Sequence, residues 1–335
     1  MVQKPKNTSK NRDSFYFQAL TWIDSLCKQL PSQALKNSQK ALSLGYRNHF
    51  STHAFTDEAT ILSYAAARMP ATYHAVQKCY QFLPESFQPK SLLDIGAGPG
   101  TASLAALDRW STLTEIAFIE DHPLMIKLAK NLWRFLNPKL ASFSMQKDDK
   151  INCEKEFDVV ILSYVLGELT PLQQEQVVLK AWQRTKNYCL LITPGTRHDF
   201  NSLLILRQLL LKNGAFLRAP CPHHNPCPMQ LTHDWCHFSV RLERSPLHQK
   251  AKQARLNYED EKFSYLIFSK NSPQDRPSPA RIIHKPIHRS GHVILDVCQD
   301  KTLQRNIISK KDPAYKNALQ AFWGDCWPID KNPAC

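Results

Sequence analysis

Residues 91–102 read SLLDIGAGPGTA. A short apolar run ends in Asp94 and turns through Gly96, Gly98 and Gly100 into the helix-like TASLAALDRW. Glycines let the backbone turn tightly and approach a ligand closely, and Asp94 can accept hydrogen bonds from a polar group held there. Downstream, EIAFIE predicts a second strand ending in Glu120, where an acid can hold the two hydroxyls of a ribose. A bare strand–helix turn is the competing reading, and it leaves the two acids unexplained.

The alternation continues on the far side of this unit. EFDVVILSYV and NYCLLITPG predict strands, while HPLMIKLAKNLWRFL, PLQQEQVVLKAWQRT and HDFNSLLILRQLLLKNG predict helices. Strands that are apolar almost throughout, alternating with helices, predict a parallel sheet covered on both faces. The expected fold is therefore α/β, a doubly wound sheet. Ahead of it, residues 14–30 and 57–82 have helical spacing, with Thr56 as N-cap and a break or kink at Pro70. After Gly214 the rhythm stops. The expected organisation is a helical region over 1–85, a Rossmann-type core over 86–214, a Cys-rich and basic insertion over 215–260, and over 261–335 the last strands of the same sheet with an RNA-binding tail. Those last strands are KFSYLIFS (262–269) and HVILDVC (292–298).

The D-x-G-x-G-x-G spacing departs from the dinucleotide G-x-G-x-x-G and resembles motif I of the class I S-adenosylmethionine-dependent methyltransferases. That resemblance implies a methyl-donor site at Asp94, Gly96, Gly98, Gly100 and Glu120, with Ser163 and Tyr164 of LSYVLGEL placed to line it. The Asn/Asp-Pro-Pro-aromatic tetrad of many amino-methylating members is missing there. Glu168 and His198 have no identifiable partner in the sequence, so no catalytic residue is assigned and methyl transfer stays open.

Composition narrows the setting. With 43% hydrophobic and 21% charged residues, the chain has the make-up of a soluble globular protein. Its longest apolar stretches are short or interrupted by charge, so no membrane span is expected. The basic N-terminus MVQKPKNTSKNR lacks the apolar segment of a secretory signal; the start of an organelle-targeting peptide is one reading, and a short disordered, RNA-friendly tail is the simpler one. The net charge is +14, and residues 201–335 carry 20 Lys and Arg against 11 Asp and Glu. Two segments concentrate that excess. One is RLERSPLHQKAKQAR (241–255), with Arg241, Arg244, Lys250, Lys252 and Arg255. The other is RPSPARIIHKPIHRSGH (276–292), with Arg276, Arg281, Lys285 and Arg289. Flexible basic segments of this kind suit a phosphate backbone, although each alone also reads as a solvated face.

Three of the ten cysteines crowd into CPHHNPCPMQLTHDWC, residues 221–236. Without a signal peptide, clustered thiols point to metal rather than to disulfides. The spacing of Cys221, Cys227 and Cys236 matches neither the C-x2-C knuckle of zinc ribbons nor the C-x3-C-x2-C of radical methyl-donor enzymes. A fourth ligand from His223, His224, His233 or His237 makes a Cys3His zinc site. Cys298, at the end of a rigid strand, makes an all-thiolate site suited to iron–sulfur and is the favoured fourth ligand. Separate buried cysteines are the third alternative; the scattered Cys27, Cys79, Cys153, Cys189, Cys326 and Cys335 read as ordinary buried or surface thiols.

Taken together, SLLDIGAGPGTA, LSYVLGEL, PGT, APCPHHNPCPM, DWCHFSVRLERSPLHQKAK, EDEKFSYLIFSK and the closing WGDCWP resemble one family, from about Tyr64 to Pro328. It is the family of methyltransferase-like assembly factors of the mitochondrial small ribosomal subunit, with their bacterial relatives. The resemblance implies partnership with small-subunit rRNA and ribosomal proteins. It also implies a four-iron–four-sulfur (4Fe-4S) cluster on Cys221, Cys227, Cys236 and Cys298, supplied by the iron–sulfur assembly machinery. Cys326, inside the closing motif, departs from the pattern as a fifth candidate ligand. The short N-terminus predicts a bacterial, cytoplasmic member; a eukaryotic one belongs in the mitochondrial matrix. Two further functions compete: an active S-adenosylmethionine-dependent rRNA methyltransferase, and a zinc-bearing methyltransferase of small molecules.

Overall fold

The computed structural model describes residues 14–31, 56–140, 142–146, 155–252, 254–272 and 280–328. Five parallel strands form the frame: β1 (Ser91–Ile95), β2 (Glu115–Ile119), β3 (Ser142–Gln146), β4 (Phe157–Ser163) and β5 (Thr185–Pro194). Their order is β3-β2-β1-β4-β5, the doubly wound arrangement whose ligands gather at the carboxyl ends of the strands. Successive residues of each strand enter different cores. Leu92, Ile116, Val159 and Leu190 pack on one face. Leu93, Ala117, Val160 and Leu191 pack on the other. Burial on both faces is why these strands read as unbroken apolar runs.

The helices follow from caps and amphipathic faces. On the first face lie α1 (Phe15–Gln29), α2 (Glu58–Tyr80), α3 (Thr101–Leu107) and α4 (Pro123–Leu136). The second face is covered by α5 (Pro171–Gln183) and α6 (Arg197–Lys212). Thr170 and Gln173 form a capping box at the start of α5. The N-terminal helices are thus part of the sheet's own core. Asp108 accepts from the Phe15 and Tyr16 amides at 2.7 and 3.2 Å and from the Tyr73 hydroxyl at 2.8 Å. Two details differ from expectation. Asp57, not Thr56, caps α2, its Oδ1 accepting from the Thr60 amide at 2.8 Å. Pro70 lies inside the uninterrupted α2, buried, at the cost of one backbone donor.

Beyond α6 the chain turns antiparallel. β8 (Tyr258–Ser269) runs against β5, and its other edge takes β6 (Phe216–Ala219) and then β7 (Phe238–Glu243). The expected insertion therefore contributes two strands to the sheet, and the cysteine loop is the link between them. The short helix α7 (Pro246–Lys252) joins β7 to β8.

The segment HVILDVC does not extend this sheet. It forms β11 (His292–Gln299) of a second, five-stranded sheet with β9 (Ala280–Ile282), β10 (Ile287–His288), β12 (Thr302–Ser309) and β13 (Cys326–Trp327). Val293, Leu295 and Val297 are fully buried in its separate core, beneath α8 (Tyr315–Gln320), while their neighbours are less so. That alternation belongs to a sheet covered on one face only. Among the described residues no helix is long and apolar enough to cross a membrane.

Candidate functional site

The glycine loop sits at the carboxyl end of β1. Gly96 (φ 67°) and Gly98 (φ 55°) are both left-handed, a conformation costly for any residue with a side chain. They serve different ends. A Cβ on Gly96 would stand 2.3 Å from Val165, whereas one on Gly98 would meet nothing within 4 Å. Backbone packs tightly at Gly96 and faces open space at Gly98. Gly100, also left-handed, is packed against Phe118 and Trp133.

The two acids stand where the spacing places them. Asp94 is fully buried; its Oδ2 accepts from the Ser103 hydroxyl at 2.8 Å, and its Oδ1 has no partner. Burial pushes its carboxyl up to about 7. Glu120 bends back over the loop. Its Oε2 accepts from the Gly98 amide at 2.8 Å, and its Oε1 from the Asp121 and His122 amides at 3.0 and 2.9 Å. An open backbone face at Gly98, a carboxylate beside it and an unsatisfied buried oxygen fit a polar ligand with an amine and a ribose, the donor set of S-adenosylmethionine.

Ser163 closes β4 beside this loop, in register with Ile192 of β5. The next residue, Tyr164, has φ 63°, and a bulky residue is rarely held so. Its hydroxyl donates to Glu261 Oε1 at 2.9 Å, and the Arg68 guanidinium, 3.1 Å from the same oxygen, lies over its ring at 5.3 Å. Where a catalytic tetrad would stand, an intramolecular Tyr–Glu–Arg network is present instead. Glu168 and His198 are both exposed.

The cysteine loop closes on an apolar cavity that Cys221, Cys227, Cys236 and Cys298 line together. All four are free thiols. Each is fixed by a different element. Cys221 follows Pro220, whose carbonyl accepts from Arg281 Nε at 2.8 Å. Cys227 caps the 3₁₀ turn Pro228–Leu231. The Cys236 carbonyl accepts from the Ser264 hydroxyl at 2.9 Å, and Cys298 stands on β11 in register with Arg281 on β9. Burial, reinforced by Cys221, pushes the Cys227 thiol up to about 11. Burial and the neighbouring thiols also push Cys236 and Cys298 up. Cys227, Cys236 and Cys298 therefore stay protonated unless a cation takes their protons' place.

Among the four histidines weighed as a fourth ligand, His223 alone lines this cavity, with Nε2 3.6 Å from Cys298 Sγ. His224 Nε2 accepts from the Leu217 amide, His233 is exposed, and His237 is stacked on Trp235. Cys326 lies on β13 opposite Arg281 and does not line the cavity. Among the described residues no three His, Cys, Asp or Glu side chains form a ready-made site for a single metal ion. A four-iron cubane asks for something different, four thiolates each on its own iron around a shared space. The donor set fits that group.

Arg207 is the residue that the sequence reading missed. It is 1% exposed on α6 and also lines the cavity; its Nη2 donates to the carbonyls of His223 at 3.0 Å and Asn225 at 2.8 Å, tying the loop down. Its signal was available: an arginine in SLLILRQLLLK spaced at helical intervals with Leu203, Leu206 and Leu210, all buried.

The basic residues divide. Arg241 is paired bidentately with Asp260 at 2.6 Å, and Arg244 and Lys252 both engage Glu259. Arg281 was expected on an RNA surface and is 2% exposed, its guanidinium spent on the Pro220 and Gly324 carbonyls and set over Phe82. It cannot meet a polyanion without opening the small sheet. Lys250, Arg255, Lys285 and Arg289 are exposed. Arg276, Cys153 and Cys335 lie outside the described residues.

A doubly wound sheet with a glycine loop after β1 and an acid closing β2 defines a class I methyltransferase-like fold. Within that class the chain belongs to the Rsm22 family: the family profile described as "Mitochondrial small ribosomal subunit Rsm22" matches residues 58–328. Human "Ribosome assembly protein METTL17, mitochondrial" is 28% identical over 303 residues, covering 84% of this chain and 65% of that protein. "Rsm22-cox11 tandem protein 2, mitochondrial" of Schizosaccharomyces pombe is 26% identical, covering 93% of this chain and 48% of its own length. This chain thus spans about half to two thirds of the length of these relatives. Among solved structures, magnesium protoporphyrin IX methyltransferase from Synechocystis aligns with 60% of this chain and 80% of its own at 13% identity and a TM-score of 0.39. The fold assignment rests on the strand order, not on that overlap.

Proposed function

We propose that this chain acts in assembly of the small ribosomal subunit, binding its rRNA and proteins through a methyltransferase-like platform that carries an iron–sulfur centre. The observation that carries the reading is the shared cavity, where a loop between β6 and β7 and a strand of the second sheet bring Cys221, Cys227, Cys236 and Cys298 together in a member of this family. Those four thiols would hold the 4Fe-4S cluster, delivered by the iron–sulfur assembly machinery. When bound, the group supplies a rigid tie between loop and sheet. The relatives are named as mitochondrial proteins, which favours the mitochondrial matrix over a bacterial cytoplasm.

S-adenosylmethionine is the ligand we propose at the glycine loop. Gly98 would let it approach, Glu120 would take the ribose hydroxyls, Asp94 would face the amine, and Ser163 would line the pocket. The Tyr164–Glu261–Arg68 network argues for binding without transfer, because it fills the position from which an acceptor would be held. Lys250, Arg255, Lys285 and Arg289 would supply phosphate contacts.

The test uses full-length protein purified without oxygen. Iron and acid-labile sulfide in equal amounts, a brown colour, and co-sedimentation with immature small subunits are expected. Colourless protein holding zinc would overturn the cluster and favour the Cys3His alternative through His223. Methyl label entering small-subunit RNA with wild type, and lost with Asp94→Ala, would displace the platform reading in favour of an active rRNA methyltransferase.

A further inference from the structure

Arg207 has more donors than the protein uses. One guanidinium nitrogen, Nη2, holds the carbonyls of His223 and Asn225, while Nε and Nη1 are buried without a partner. Among the described residues no carboxylate lies within ion-pair distance of it. A buried, always-charged group left this way is costly. Natural interiors satisfy such groups unless something else does so in the working state. The other arginine at the cavity is different: Arg281 already directs Nε and Nη1 at the Pro220 and Gly324 carbonyls.

A cubane on four thiolates is an anion, with sulfide edges that accept hydrogen bonds. Burying it uncompensated is unfavourable, as is burying the bare guanidinium, and each offsets the other's cost if they meet. We infer that Arg207 is a positioning residue that offers its free Nε–H and Nη1–H to the anionic core of the four-thiol centre, neutralising part of its charge and raising its reduction potential. The inference rests on the iron–sulfur reading above. Donors to the sulfurs and fixed positive charge are among the protein's levers on such a potential, since the reduced state carries one more negative charge. His223, whose Nδ1 is also buried without a partner and whose Nε2 is 3.6 Å from Cys298 Sγ, offers no fixed charge and is secondary.

The experiment compares full-length wild type with Arg207→Met and Arg207→Lys, each purified without oxygen. It measures iron and sulfide per chain, resistance of the iron to a chelator, and the midpoint potential by redox titration followed by electron paramagnetic resonance. Arg207→Met should shift the midpoint to more negative potential and lose iron to chelator faster, by roughly the 10–100-fold that outer-shell partners contribute to metal affinity. Arg207→Lys should recover part of the potential. A variant pair with wild-type potential would overturn the inference even if iron content fell, because loop anchoring alone predicts lower occupancy at an unchanged potential. If Arg207→Met does not fold, the Lys variant decides: its loss of the fixed fork geometry should still move the potential, and an unmoved value counts against the inference. Wild type without iron would instead strike down the cluster reading itself, and the role of Arg207 with it.

Discussion

Cys298 Sγ and His223 Nε2 face each other at 3.6 Å, so a strand of the small sheet meets the tip of the cysteine loop through a thiol and an imidazole. The contact joins two segments 75 residues apart in the chain. It also sets side by side the fourth ligands of the two metal chemistries weighed for this loop, all-thiolate through Cys298 and Cys3His through His223.

Substitution separates them. Cys298→Ser should abolish stable iron binding, whereas His223→Ala should keep four thiolates and reduce affinity by no more than about 10–100-fold. Metal analysis of both variants checks this. The reverse pattern, metal kept by Cys298→Ser and lost by His223→Ala, would assign the site to zinc.

Asp94 makes stability depend on pH. Its folded value is raised from 3.8 to about 7, so between those values the native state binds a proton that the unfolded chain has released. Stability should be greatest at the acid end of that window and fall as pH rises through it, by about 1.4 kcal/mol per unit at most. Asp94→Asn should flatten this dependence in urea melts across the same range. A bound amine would favour the ionised carboxylate, so donor affinity in calorimetry should rise towards pH 7 in wild type only.

Arg68→Ala should destabilise the protein strongly. Glu261 is 7% exposed and would keep only the Tyr164 hydroxyl as a partner of those described, and removing one member of a buried pair costs roughly 3–5 kcal/mol. Chemical denaturation reads the loss. Double substitution with Glu261→Gln should recover part of it.

RNA affinity should depend on Lys285 and Arg289 far more than on Arg241. Neutralising an exposed cation that touches phosphate lowers the salt slope of log affinity by about 0.7 per contact for single strands. Filter binding of Lys285→Ala/Arg289→Ala across a salt series should show that change. Arg241→Ala, which releases Asp260 from a pair already neutral, should not. Arg281→Ala should lower thermal stability instead, leaving the salt slope intact.

The parallel frame was readable because its strands are buried on both faces and carry unbroken apolar runs; β1, β2, β4 and β5 stand where those runs lie. The glycine loop was readable because left-handed backbone demands glycine. The small sheet was missed although its mark was present: Asp296 interrupts HVILDVC, as expected of a strand with one open face. Counting charge within 241–255 also misled, for Glu259 and Asp260 lie just beyond that window. The register of β7 on β8 sets Asp260 opposite Arg241 and brings Glu259 within reach of Arg244 just beyond the strand, which local composition does not encode. Three of the four cavity thiols were visible as a cluster. The guanidinium beside them was marked only by an arginine set among the buried leucines of α6.

The position of β8 has a consequence for biosynthesis. Three strands, β5, β6 and β7, find their partner in it, so during translation each has an open edge until residue 269 has emerged. The loop with its three thiols is held by no completed ladder in that interval, and the fourth thiol arrives later still. The cavity of such a nascent chain lacks one wall until the second sheet has emerged, so any inorganic guest that engages all four thiols must wait for Cys298.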